Sequence, residues 1–442
     1  MKKLLEKFTA LLLAATMTFA LPLSGCTSTD NTGSNSGAKE AQIDSTDESD
    51  SGEVTTIRFI NGFTGGDGPF MDKIVDGFNE SQDKYYIEQV QDSDYYARFR
   101  SEDFDMLVMH ADWISTYHTL GLLREVSDIY EAADISFEDD FHPITKTYTK
   151  YDNGIFAFPL DLYAETFYYN TEYVKEVPAT YEDMTALKEE LNSEETGIYP
   201  LVFSLSGDHQ WAWMIALGQS GVEWVKGQSI KLDTKDVCNA FLKIHDLIYV
   251  DKLAAVSTQE NDHFNTFISD SSDNINSITA ACSLTGPWSL TSAKEALGDN
   301  LGIATIPQLY GDTVCVPAGG HALAVSSKVN DQKKLDGIAA FMAYAYQPEV
   351  MLNWADSGQA PIHLETMELV KQSPDKYPVA NVNYKVFNDA MILPAIYNIR
   401  EQVKYVNETI WPLIIQTEDL SYDDLMKELR EATRLAEKLS QY

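Results

Sequence analysis

Asp112 and Trp113 stand side by side, and Trp113, Trp211, Trp213 and Trp288 fall in stretches that read as loops or beside turn glycines. A flat ring can lie on the C–H face of a polyhydroxylated molecule while a neighbouring carboxylate or amide takes its hydroxyls in paired hydrogen bonds. The chain has ample material for this, with 7 Trp, 24 Tyr and 19 Phe beside 68 Asp and Glu. A tryptophan taken singly is more often a core side chain, because Trp is highly buried on average. The reading therefore rests on rings set next to polar groups, and the chemistry it suits is recognition.

A different chemistry belongs to Cys26. It closes Leu23-Ser24-Gly25-Cys26, after a start with Lys2 and Lys3 and an apolar run from Leu11 to Leu21. That pattern is a secretory signal with a lipobox, and the run is too short to span a bilayer. Cleavage leaves Cys26 as the new N-terminus, where its thiol can carry a diacylglycerol and its amine an acyl chain, enough to hold a protein on a membrane face. Residues 1–25 thus read as a lipoprotein signal peptide. Residues 26–52 read as a disordered tether, since Ile43 is their single large apolar side chain and too little surface can be buried to offset ordering entropy. The expected location is the cell surface, with lipid as the only membrane attachment, on the outer face of a bacterial cytoplasmic membrane.

The net charge is −36, and loss of residues 1–25, with three lysines and one glutamate, leaves −38. Nucleic acid is excluded as a partner because phosphate binding needs a basic patch. Cys238, Cys282 and Cys315 show no metal-ligand spacing. They read as small buried hydrophobes, with a disulfide between two of them left open. No cofactor or metal is expected.

Placing the candidate side chains is the task of an α/β scaffold. Glu53–Asn61 alternates like a strand, Gly62 to Pro69 is a turn, Phe70–Glu80 is helical, and Tyr85–Val90 and Asp105–His110 are further strands, the last apolar enough for a buried parallel sheet. This order implies right-handed βαβ units. A second α/β region begins near Asp161, with strands at Thr166–Tyr169, Tyr199–Phe203, Ser277–Ser283 and Leu301–Thr305 and helices at Tyr181–Leu191 and Asp236–Tyr249. After a strand at His321–Val325 the periodicity is helical at Lys333–Tyr346, Glu349–Asp356, Tyr384–Asp389, Arg400–Ile415 and Tyr422–Leu439. The glycine-rich turn carries neither the Walker spacing with its lysine nor GxGxxG, so it is no nucleotide motif. Its backbone N–H groups could still meet a hydroxyl-rich ligand. A chain this long divides into two lobes.

Ile60-Asn61-Gly62-Phe63-Thr64-Gly65-Gly66-Asp67-Gly68, Asp105 to His110 and Gly121-Leu122-Leu123 resemble the first third of extracellular solute-binding proteins of family 1. These are the sugar receptors of ABC importers, including the maltose-binding type. Asn153 to Asp161 with Tyr168-Tyr169-Asn170, Thr285-Gly286-Pro287-Trp288, Gly302 to Pro307 and Ala318 to Val325 continue the resemblance to the C-terminus. It implies a two-lobed periplasmic-binding-protein-like α/β fold, each lobe with a mostly parallel sheet, and a cleft between lobes joined by several hinge crossings. The implied partition is 53–160 plus 320–362 for lobe one and 161–319 plus 363–442 for lobe two.

The resemblance also sets roles. Asp112 falls where such receptors place a hydroxyl-binding carboxylate, and Trp288 at an aromatic stacking position. Tyr163 stands where the maltose-binding type has an acidic contact, so maltose specificity does not carry over. Trp113, Phe63, Asp67, Asp161, Trp211, Trp213, Gly320 and His321 complete the candidate ligand contacts. The expected function is capture of a neutral mono- or oligosaccharide by a monomer and its delivery to ABC permease subunits, with no catalysis. A secreted carbohydrate-active hydrolase is the alternative, because paired carboxylates can cleave glycosides, although neither GxSxG nor HExxH occurs. A ferric-ion binding protein is the third reading, from the adjacent phenols of Tyr168 and Tyr169, whose places in a strand point them to opposite faces.

Overall fold

In the computed structural model, residues 54–64, 66–205, 209–257, 263–269 and 278–441 are described. The expected signal peptide, Cys26 and the expected tether lie outside them. Thr55–Asn61 is the first strand and pairs in parallel with Tyr85–Gln91 on one side and Met106–His110 on the other. The helix Gly68–Ser81 links the first two and turns Met71, Ile74, Val75 and Phe78 onto the sheet. It opens two residues earlier than its periodicity suggests because Pro69 sits in the first turn, where a missing N–H leaves no bond unmade. His321–Val325 adds antiparallel to Met106–His110, and Phe158–Pro159 closes this five-stranded sheet. Met106, Leu107, Val108 and Met109 are buried, as expected of a central strand.

A second body is built around Thr166–Asn170, flanked antiparallel by Cys282–Thr285 and Leu301–Ala304. Beside it, Val316–Gly319 pairs in parallel with Ala390–Ile392 and antiparallel with Tyr163–Ala164. The expectation of a mostly parallel sheet in each lobe is corrected here. The strands flanking Thr166–Asn170 arrive after more than a hundred residues of excursion, so no short helical crossover imposes a parallel direction. The fold is α/β and two-lobed, with the chain passing from one set of sheets to the other between Pro159 and Tyr163 and returning between Gly319 and His321. Where the passages meet, Asp161 bridges Pro361, Leu160 N–H donates to the His321 carbonyl at 2.8 Å, and Leu162 N–H donates to the Ala360 carbonyl at 3.1 Å.

Four helical stretches differ from their periodicity. Ala111–Thr119 and His209–Gln219 are helices, so Trp113, Trp211 and Trp213 are not loop residues. Pro378–Val386 begins well before Tyr384, again with proline in the first turn. Ile399–Tyr405 and Trp411–Gln416 are joined by a wider π turn over Val406–Ile410. Pro412 accounts for it, since a proline inside a helix has no N–H to donate and its ring crowds the preceding turn. Cys238, Cys282 and Cys315 are free thiols, all buried, which closes the disulfide alternative. Among the described residues no helix is long and apolar enough to cross a membrane.

Candidate functional site

A cavity of about 490 Å3 lies between the two bodies, beyond the C-terminal ends of Thr55–Asn61 and Met106–His110. Open α/β sheets bind ligands at that end of their strands. Gly62, Phe63, Asp67, Tyr95 and His110 come from the first body. Tyr163, Trp211, Trp288, Arg400 and Asn407 come from the second, and His321 and Gln359 from the connecting passages. Gly62 is required by space, because a Cβ there would stand 2.3 Å from the Tyr95 ring.

The aromatic wall is a cluster of three rings. Trp288 meets Tyr163 edge to face at a centroid distance of 5.6 Å, Trp211 meets Tyr163 at 6.2 Å, and Trp211 and Trp288 lie 6.3 Å apart with planes inclined by 31°. Trp288 is held in a 3-10 turn, Pro287–Ser289, and its ring folds back over Gly286, where a Cβ would come within 2.1 Å of it. At 37% exposure it is the most open large ring of the group. Phe63 stacks edge-on to His321 at 5.1 Å and on Trp354 at 4.8 Å.

Behind this wall the charges are arranged in pairs. Asp161 is fully buried and accepts from Trp354 Nε1 at 2.6 Å, from the His321 backbone N–H at 2.9 Å and from His321 Nδ1 at 2.9 Å. Burial alone would push the His321 imidazole down, but the charge and hydrogen bonds of Asp161, with Asp67 and Asp112 further off, carry it above the usual histidine range. His110, its ring 4.9 Å from His321, goes the other way. Burial and the charges of His321 and Arg400 hold it well below that range, and its Nδ1 is met by the hydroxyls of Tyr95 at 3.0 Å and Tyr96 at 3.2 Å. Burial lifts the Asp67 carboxyl above the usual carboxylate range, against the pull of His321.

Arg400 pairs with Asp112. Nη2 donates to Oδ1 at 3.2 Å, and Nε lies 2.7 Å from Oδ2, a charge contact whose direction is not that of a hydrogen bond. The Arg400 side chain is 40% exposed while that of Asp112 is 8% exposed, so the guanidinium reaches the cavity and the carboxylate stands behind it. Gln359 is 2% exposed, and among the described residues its Oε1 has no hydrogen-bond donor within range. A buried acceptor left in this state at a cavity wall is an opening for a ligand hydroxyl.

Of the expected contacts, Phe63, Asp67, Tyr163, Trp211, Trp288 and His321 are brought together around this cavity. Five other candidates are not. Asp112 does not line the main cavity, because Arg400 claims it; it borders a void of about 20 Å3 behind Tyr163. Trp113 packs against Tyr96 at 4.8 Å with the Arg400 guanidinium over its ring. Trp213 is 0% exposed, donates to Asn407 Oδ1 at 2.8 Å and packs on Trp224 and Phe241, a core side chain. Asp161 has its oxygens taken by three donors, and Gly320 serves through space, since a Cβ there would lie 2.8 Å from the Asp161 carbonyl. Tyr168 is fully buried and donates to the Gly286 carbonyl at 3.3 Å, whereas Tyr169 faces Phe167, so the two phenols do not converge.

His110, Arg400, Tyr95, Gln359 and Asn407 went unread. A signal existed for two of them. His110 closes the Asp105 to His110 motif at the C-terminal end of a strand, where open α/β sheets bind ligands, and Arg400 is a cation in the first turn of a helix, where the dipole disfavours it.

Compared with known proteins, residues 73–376 match the family model of bacterial extracellular solute-binding proteins. The sn-glycerol-3-phosphate-binding periplasmic protein UgpB of Yersinia pestis bv. Antiqua (strain Antiqua) is 24% identical over 340 residues, which cover 72% of this chain and 76% of the relative. Among solved structures, the GacH receptor of Streptomyces glaucescens GLA.O, known unliganded and with acarbose, superposes with a TM-score of 0.71 at 19% identity over 88% of this chain and 100% of its own. UgpB from Mycobacterium tuberculosis in complex with glycerophosphocholine gives a TM-score of 0.71 at 15% identity, over 88% and 98% of the two chains.

Proposed function

This chain belongs to the family of bacterial extracellular solute-binding proteins, and from that premise we propose that it is the substrate-binding lipoprotein of an ABC importer. It captures a hydroxyl-rich solute, a mono- or oligosaccharide or a glycerophosphate, between its lobes and presents it to permease subunits. The observation that carries this is the cavity itself: Tyr163, Trp211 and Trp288 line it with aromatic rings while Gln359, Asp67 and His321 line it with hydrogen-bonding side chains. Aromatic faces for C–H surfaces and converging polar groups for hydroxyls are what a polyol needs. The relatives support both solute classes, since one is named for sn-glycerol 3-phosphate and another was solved with acarbose.

The lobes are taken as 53–160 plus 320–362 and 161–319 plus 363–442, hinged at the passages that meet around Asp161. A monomer anchored through Cys26 by lipid alone, at the outer face of the cytoplasmic membrane, completes the proposal. A receptor returns its ligand unchanged, which separates this reading from a hydrolase. Calorimetric titration of the mature protein against defined sugars and glycerophosphates is expected to find a saturable ligand, with no reducing ends released on long incubation. Turnover lost on substituting a cavity carboxylate would overturn it.

A further inference from the structure

Sugars and glycerophosphates share hydroxyls and differ in charge, and the groups around His321 bear on that difference. With Nδ1 turned to Asp161, the ring edge bearing Nε2 is what His321 can show to the cavity it lines. The groups facing His321 are Asp161 from the passage after Phe158–Pro159, Asp67 ahead of the first helix, His110 at the end of its strand, Tyr163, and, at longer range, Asp112. His321 and Arg400 both line the cavity, and the charges of both act on His110.

We propose that His321 is the specificity-determining residue of this cavity: held by Asp161, its imidazolium form donates from Nε2 to an anionic oxygen, so the preferred solute is a polyol carrying a phosphate or carboxylate. The argument rests on the reading of the chain as a solute receptor and goes one step further. Imidazolium donates from both nitrogens. Neutral imidazole, keeping Nδ1–H on Asp161, turns Nε2 into an acceptor. A sugar hydroxyl can answer either state by rotating its hydrogen, whereas an anionic oxygen can only accept. His321 is tuned toward the charged state by Asp161, in line with that task. Arg400 adds a cation whose charge is already partly met by Asp112, leaving His321 as the group whose charge can change.

The test is calorimetry with sn-glycerol 3-phosphate, glucuronate, glycerol and maltose between about pH 7 and about pH 9. The phosphate has its second charge and the carboxylate is ionised throughout this range. Affinity for the anionic solute that binds is expected to fall about tenfold or more as pH rises, while that for a neutral solute changes less than about twofold. The phosphate and carboxylate arms identify which anion is meant. His321→Gln, which donates but never carries charge, is expected to bind the anion about tenfold more weakly at pH 7 and to lose the pH dependence. The imidazole proton resonance of His321 in the unliganded wild-type protein, expected to titrate above the ordinary value of about 6.5, keeps the test open if the variant folds poorly. An anion bound with a flat pH profile, or binding confined to neutral sugars, overturns the selector while leaving the receptor reading intact. If none of the four solutes nor any of the wider panel binds, the receptor reading falls with it.

Discussion

At the scale of single residues, two tryptophans expected to share one binding role, Trp288 and Trp213, part company. Trp288 is open on the cavity, so Trp288→Ala is expected to weaken ligand binding about tenfold while leaving apo stability nearly unchanged. Trp213 is sealed, so Trp213→Ala should lower stability by about 3–5 kcal/mol through the cavity it leaves. Chemical unfolding of both variants without ligand, beside titration of each, checks the assignment, and a marked loss of apo stability in the first would place Trp288 in the core. The two cavity histidines make a second prediction. His110 is held below the ordinary imidazole value and must stay neutral when folded, so its contribution is present above that value and lost as pH falls. His321 is held above it, so its contribution is full below the ordinary value and lost as pH rises through its own. Their combined effect on the unfolding midpoint is a maximum near about pH 6.5, and His321→Gln is expected to remove the alkaline slope.

At the scale of elements, the site depends on short pieces whose shape is set by close approach. Gly286 lets the Trp288 ring fold back upon the chain, and a methyl group 2.1 Å from that ring forces it aside. Gly286→Ala is therefore expected to weaken binding as Trp288→Ala does, about tenfold, and a tryptophan fluorescence shift in the unliganded protein should report the displaced ring. The helices Ala111–Thr119 and Ile399–Tyr405 are tied by Asp112 to Arg400 and by Asn398 N–H donating to Thr116 Oγ1 at 3.0 Å. Arg400→Ala leaves the buried carboxylate of Asp112 without its cation, and a loss of about 1–3 kcal/mol is expected. Thermal unfolding of that variant and of the double variant Arg400→Ala/Asp112→Ala measures it, since removing both charges should restore part of the loss.

At the scale of the whole molecule, lobe closure and anchoring can each be tested. Ligand binding is expected to reduce the radius of gyration seen by solution scattering, because hinge closure about the passages near Asp161 brings the lobes together. Cys26→Ser is expected to release the protein from membranes or leave it unprocessed, and a mature N-terminus found elsewhere would exclude the anchor. Much of this was legible in the linear chain. Strand periodicity at Thr55–Asn61, an apolar run at Met106–His110 and the motif order through Gly286-Pro287-Trp288 are local or nearest-neighbour properties, and they determined the fold class, the family and most of the aromatic wall. Partnership was not legible. Whether Asp112 meets a ligand or Arg400 depends on two helices 288 residues apart in sequence, and whether Asp161 is a contact or the support of His321 depends on three passages converging. Burial and charge pairing are sums over neighbours that only the folded chain assembles. Composition could supply carboxylates and rings, but the tertiary structure decided which of them were left free to bind.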